Sequence, residues 1–221
     1  MKLIISDELK NIIPDYHVIS YLITLEDDYD PMIKTKEVDE LLEDIYQTYP
    51  TKYQYDEIVN IPKIKETRDG YKKLGKDPSH TRCAAESLLR RVIKGIKLYR
   101  IGDVVDLGNV LSLYTLRSVC VADADKIIGD VQLKIGKKED SYFGIGRNLI
   151  NVENIPIYVD DISAFGSLTS DCDRTKIKQS TKKLLVLINS FTSNEINEDE
   201  RLLIELFNKY LKCKEIIKLG E

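Results

Sequence analysis

The chain has no tryptophan, four phenylalanines, two histidines and four cysteines in 221 residues. The cysteines, Cys83, Cys120, Cys172 and Cys213, stand far apart and form no C-x-x-C pair. The histidines are His17 and His80. Zinc sites gather Cys and His at short spacings, so no metal is expected. A Cys–His nucleophile pair is not expected either. Scattered thiols fit a reducing compartment better than a disulfide framework. There is no G-x-S-x-G elbow and no P-loop, and Gly144-Ile145-Gly146 is a G-x-G without the following glycine and helix start of a nucleotide fingerprint. No cofactor is expected, and no activated side-chain nucleophile. A membrane span needs a run of about 18 apolar residues, and none exists. Lys2 to Ile5, followed by Asp7 and Glu8, is too short for a signal-peptide core. The expectation is a cytoplasmic protein with no membrane partner.

What is present fits a globular domain, or one domain with an extension: 43% hydrophobic and 32% charged residues. A chain of this length buries about 70% of its unfolded surface and needs no staples. The net charge of −4 argues against an overall cationic coat, and no DNA partner is expected. Local patches still decide RNA binding. From Arg82 to Arg100 there are six basic residues against Glu86 alone, and from Ser170 to Lys183 five against Asp171 and Asp173. Brought together, these segments would form a basic rim. Apart, they are solubilising surface. The tyrosines are scattered, so aromatic interleaving for base stacking is weak.

Two helices are expected at the centre. Asp77 reads as an N-cap, Pro78 as the first helical residue and Gly95 as the residue past the end. Ala84, Ala85, Leu88, Leu89, Val92 and Ile93 share one face of this helix. Arg82, Glu86 and Arg90 fall at i, i+4 and i+8 along its edge, which describes either a solvated ion-pair ladder or a partly buried network holding up a pocket. The second helix begins near Asp103. Asp106 and Asn109 share a face with Val110 and Leu113, and must be hydrogen-bonded if buried.

Elsewhere, Lys2 to Ile5, Tyr16 to Leu25, Ile127 to Ile135, Ile155 to Val159, Ser163 to Thr169 and Lys183 to Phe191 read as strands. A helix over Lys36 to Tyr49 is expected to end at Pro50, and Tyr55 to Leu74 is helical with a break at Pro62. Ile196 to Lys218 reads as one amphipathic scaffold helix. Helices and strands mix without a βαβ rhythm, so the class is α+β.

The string Y-x-x-x-G-x-x-P-S from Tyr71, R-x-x-x-E-x-L-L-R-R-V from Arg82, V-V-D-x-x-N-x-x-S-L from Val104, D-x-D-K-I from Asp123 and the closing run Ser170 to Val186 resemble the B3/4 domain family. That is the editing domain of the bacterial phenylalanyl-tRNA synthetase β subunit, also found free-standing. The resemblance spans roughly residues 67–191. It implies a layered β/β/α core, with 1–66 as an extension packed on it and 192–221 as a C-terminal helix. It also implies a trans-acting aminoacyl-tRNA deacylase, with aminoacylated tRNA as the partner and no ligase chemistry. Asn109 matches the family's asparagine. Gly108 stands at its threonine and Cys120 at its histidine, which implies an amino acid smaller or less polar than tyrosine. Asn109, with Asp171 or Asp173, is then assigned to substrate orientation and water placement. Gly108, Cys120, Gly166 and Thr175 are assigned to substrate binding, and Arg82, Glu86, Arg90, Arg91 and Arg174 to pocket support or RNA contact. Two other readings keep the fold without this chemistry: a non-catalytic RNA-binding module, and a small-molecule ester or amide hydrolase.

Overall fold

The computed structural model describes residues 1–220. In chain order the elements are β1 (Leu3–Ile5), α1 (Asp7–Ile12), β2 (His17–Leu25), α2 (Lys36–Lys52), α3 (Pro62–Lys73), α4 (Ala84–Ile93), α5 (Asp103–Thr115), β3 (Val119–Asp123), β4 (Val131–Ile135), β5 (Tyr142–Phe143), β6 (Leu149–Ile150), β7 (Pro156–Val159), β8 (Ala164–Ser167), β9 (Lys183–Ser190), α6 (Ile196–Tyr210) and β10 (Cys213–Lys218). Short 3-10 turns link several of them. The class is α+β, as expected.

Two four-stranded sheets form the core, in the orders β1-β4-β7-β8 and β10-β2-β9-β3; β5 and β6 make a separate small hairpin. The layering is visible at two neighbouring residues of β3. Successive strand residues point to opposite faces. Cys120 Sγ lies 3.6 Å from the position a Cβ would take on Gly166 of β8, while Val121 Cγ2 lies 2.7 Å from that of Gly108 on α5. One face of the second sheet therefore meets the first sheet and the other meets the helices. Leu184 to Ser190 in β9 are buried without interruption, as a strand covered on both faces requires. Asn189 of β9 and Tyr158 of β7 hydrogen-bond across the two sheets.

Residues 1–66 supply strands to both sheets: β1 pairs with β4 in parallel, and β2 runs between β9 and β10. The end of the chain differs from expectation. Helix α6 stops at Tyr210, and Cys213–Lys218 pairs antiparallel with β2, Ile216 opposite Ile23. The edge of β2 is open backbone, and satisfying it outweighs two more helical turns. Three other boundaries move. Helix α2 runs two residues past Pro50, where the Tyr53 N–H closes on the Tyr49 carbonyl at 2.9 Å. Gly129, at φ 80°, breaks the expected 127–135 strand, which begins at Val131. The helix expected from Asp77 starts at Ala84 instead. Asp77 closes a tight turn, accepting from the Ser79 N–H at 2.8 Å and hydroxyl at 2.7 Å. The Ala84 N–H is satisfied by the Leu168 carbonyl at 2.7 Å. The Gly95 end is as expected, at φ 71° just past the helix.

Candidate functional site

β3 and β8 are the edge strands of their sheets, and a cleft of about 260 Å³ opens beside them under α4 and α5. Its walls include Ala84, Ser87 and Leu88 of α4, Asn109 of α5, Val119 of β3, Ser167 of β8 and the following residues Thr169, Ser170 and Asp171. The loop is held in shape by Tyr142, whose hydroxyl donates to the Ser170 carbonyl and can accept from the Ser167 hydroxyl at 2.8 Å. Asp171 is bridged to Gly166 and its carbonyl accepts from the Ile145 N–H at 3.2 Å.

Asp171 is half-buried by surface exposure, but protein surrounds its carboxyl closely enough to raise the pKa from 3.8 to about 6. Burial is the main cause; a hydrogen bond with the Cys120 side chain opposes it. The Cys120 thiol is 2% exposed and held well above its usual range by burial and by the neighbouring carboxylate. It lies beneath the cleft rather than in its wall. Gly166 completes this group, since a Cβ there would stand 3.1 Å from the Tyr158 ring and 3.7 Å from Asp171 Oδ1.

A wider vestibule of about 530 Å³ adjoins the cleft; Ser87, Leu88, Asn109 and Arg147 line both. Its walls carry Arg82, Arg90, Arg91, Lys94 and Arg147. Asn109, half-buried, stands at the junction. Glu86 lies behind the vestibule wall, fully buried: Arg68 reaches it at 2.9 Å, Arg90 at 2.8 Å and Arg82 at 3.8 Å. The buried-network reading of the 82–86–90 row is therefore the one observed, with Arg68 of α3 as an added member. Arg82 precedes the helix and holds Glu86 only loosely.

The other expected residues lie elsewhere. Asp173 is exposed and pairs with Lys176 at 2.7 Å, outside the cleft. Thr175 is buried, its hydroxyl donating to the Phe165 carbonyl at 3.3 Å. Arg174 grips Asp160 at 2.9 Å and the Lys126 carbonyl at 2.6 Å. Gly108 faces Val121. Asp106 anchors the loop before α5, accepting from the Ile101 and Gly102 N–H groups, both at 3.2 Å. Asp123 caps a short turn and accepts from the Thr181 hydroxyl at 2.8 Å. The basic rim is built by α4 and Arg147, not by the 170–183 segment. Lys176 is taken by Asp173, and Lys182 by the carbonyls of Asp27 and Tyr29. Arg147, which sequence reasoning missed, comes from the β5–β6 turn and donates to Ser170 Oγ at 3.1 Å. Among the described residues no group of three or more His, Cys, Asp or Glu side chains is placed to hold a metal ion. No helix among them is long and apolar enough to cross a membrane.

The family described as "B3/4 domain" matches residues 66–206. The phenylalanine–tRNA ligase β subunit of Mycoplasmoides gallisepticum is 32% identical over 84 residues, 35% of this chain and 10% of that protein. That of Mycoplasma genitalium is 25% identical over 138 residues, 60% of this chain and 16% of that protein. The chain thus corresponds to a small part of these curated relatives. An N-terminal fragment of the phenylalanyl-tRNA synthetase β subunit from Pyrococcus horikoshii superposes with a TM-score of 0.49 at 8% identity, covering 94% of this chain and 48% of that one.

Proposed function

The chain belongs to the B3/4 domain family, and from that premise we propose that it hydrolyses the ester of a mischarged aminoacyl-tRNA in trans. The observation that carries this reading is the continuity of the two clefts across Asn109. An RNA 3′ end lying in the vestibule meets Arg82, Arg91, Lys94 and Arg147. Its acyl group then passes Asn109 and reaches Asp171.

The chemistry asks little of the protein. An aminoacyl ester is already activated, and hydrolysis needs a seated acyl group, a placed water and a donor to the developing oxyanion. The Asn109 amide is assigned to orient the ester carbonyl or the α-amino group. Asp171, with a pKa near 6, is ionised at neutral pH yet basic enough to take a proton from water. The vicinal ribose hydroxyl of the tRNA is available to assist. A second sieve of this kind answers a physical need: an apolar synthetic pocket separates amino acids one methylene apart by only about 1–3 kcal/mol.

The acyl group is proposed to be smaller or less polar than tyrosine, against cleft walls that include the short side chains of Ala84, Ser87 and Ser170. Gly108 and Cys120, which the resemblance matches to the family's threonine and histidine, lie outside the cleft wall and present no side chain to a phenol hydroxyl. The same two positions favour a second reading, an RNA-binding module that keeps the fold without turnover. Asn109→Ala separates the two. It abolishes hydrolysis with little change in tRNA affinity if the protein is an enzyme, and changes nothing measurable in a binding module.

A further inference from the structure

We propose that Tyr99 is a stacking platform for an unpaired nucleobase, with Arg91 and Lys94 beside it holding the adjoining phosphates. The inference rests on reading the vestibule as the path of an RNA 3′ end, and not on the ester chemistry beyond it.

Tyr99 is 78% exposed, more than any other large hydrophobic side chain among the described residues, and faces the vestibule. A single exposed tyrosine is ordinary. This one is placed. The Arg91 guanidinium carbon stands 4.9 Å from the ring centroid, and Arg91 is tethered by its Nε to the Lys97 carbonyl at 3.2 Å. Ring and cation are thus fixed relative to each other while most of the ring stays open. Tyr55 lines the same vestibule, with Lys94 Nζ 4.7 Å and the Arg90 guanidinium carbon 4.9 Å from its ring centroid. Tyrosines 44 positions apart in the chain, which sequence spacing could not join, meet around one opening.

The charges favour a polyanion. Arg90 is committed to Glu86, and Lys97 to Glu43. Arg91, Lys94 and Arg147 have no carboxylate partner among the described residues. Aromatic faces beside unneutralised cations are how single-stranded nucleic acid is held without sequence readout, the bases stacking and the phosphates releasing counterions. An acidic protein would use the cations but leave the ring without a planar partner.

The test uses the full chain and an unacylated RNA tetranucleotide carrying 2-aminopurine at its 3′ end, titrated by fluorescence at low salt. The expected result is quenching on binding. Tyr99→Phe should retain both affinity and quenching, because the ring and not the hydroxyl stacks. Tyr99→Ala should weaken binding about tenfold and remove the quenching. Melting temperatures of the variants report folding. Wild-type affinity in Tyr99→Ala, binding without quenching in the parent protein, or binding of an acidic peptide but not of the RNA would overturn the proposal. Its fate is separable from that of the deacylase reading. Quenching in a protein that hydrolyses no aminoacyl-tRNA leaves the platform standing. Hydrolysis with unchanged RNA binding in Tyr99→Ala removes it alone.

Discussion

Arg68 and Glu86, on different helices and 18 residues apart, form a bidentate contact in which Arg68 Nη1 reaches both carboxylate oxygens, at 2.9 and 3.1 Å. Glu86 is fully buried and Arg68 17% exposed. This pair, with Arg90, fastens α3 to α4 behind the vestibule. Removing one member of a buried pair strands the other charges. Glu86→Ala is therefore expected to destabilise the fold by about 3–5 kcal/mol in urea unfolding. Arg82, exposed and 3.8 Å away, is expected to cost under about 1 kcal/mol when changed to Ala. Equal losses in the two variants would remove Arg68 from the account.

Gly108 is a packing residue. Any Cβ there meets Val121 Cγ2 at 2.7 Å, so a threonine at this position pushes α5 off β3. Gly108→Thr is expected to cost about 1–3 kcal/mol, and Val121→Ala in the same chain to recover part of it. A double-mutant cycle with no coupling would contradict this.

Asp171 ties pH to stability and, under the proposed function, to turnover. Its pKa rises from 3.8 unfolded to about 6 folded, so between these values the folded state binds more protons than the unfolded one. Stability conferred by the protonated carboxyl is present below about pH 4 and lost as pH rises through 6, by on the order of 3 kcal/mol. Asp171→Asn should flatten that part of the stability profile. If the ionised carboxylate is the base, kcat/KM rises through pH 6 to a plateau. A rate independent of pH between 5 and 8 would exclude that role.

The proposed function carries an expectation about selectivity. Tyr-tRNA(Phe) is expected to be a poor substrate, because Gly108 faces Val121 and Cys120 lies beneath the cleft, so neither position presents a partner to a phenol. Rapid deacylation of that species would overturn this expectation.

Local signals carried most of the fold. The apolar face of α4, the apolar run of β9 and the glycine past α4 are all written in neighbouring residues, and the structure has them there. The misses are tertiary. Cys213–Lys218 has helical spacing and becomes a strand because β2 offers it an edge. Arg147 sits in a short turn without periodicity, and only the packing of that hairpin against Ser170 brings it to the cleft. Asp171 and Asp173 are two apart in sequence, so charge alone could not rank them. Burial does, placing Asp171 in the cleft wall and Asp173 in solvent.

The most direct measurement is deacylation across a panel of tRNAs charged with correct and incorrect amino acids, using the purified chain beside Asn109→Ala. The account predicts turnover of one mischarged species carrying a small amino acid, sparing of its correctly charged counterpart, and silence from the variant at unchanged tRNA affinity. Silence of the parent protein across the whole panel, with salt-sensitive tRNA binding intact, would contradict the enzyme and leave the RNA-binding module.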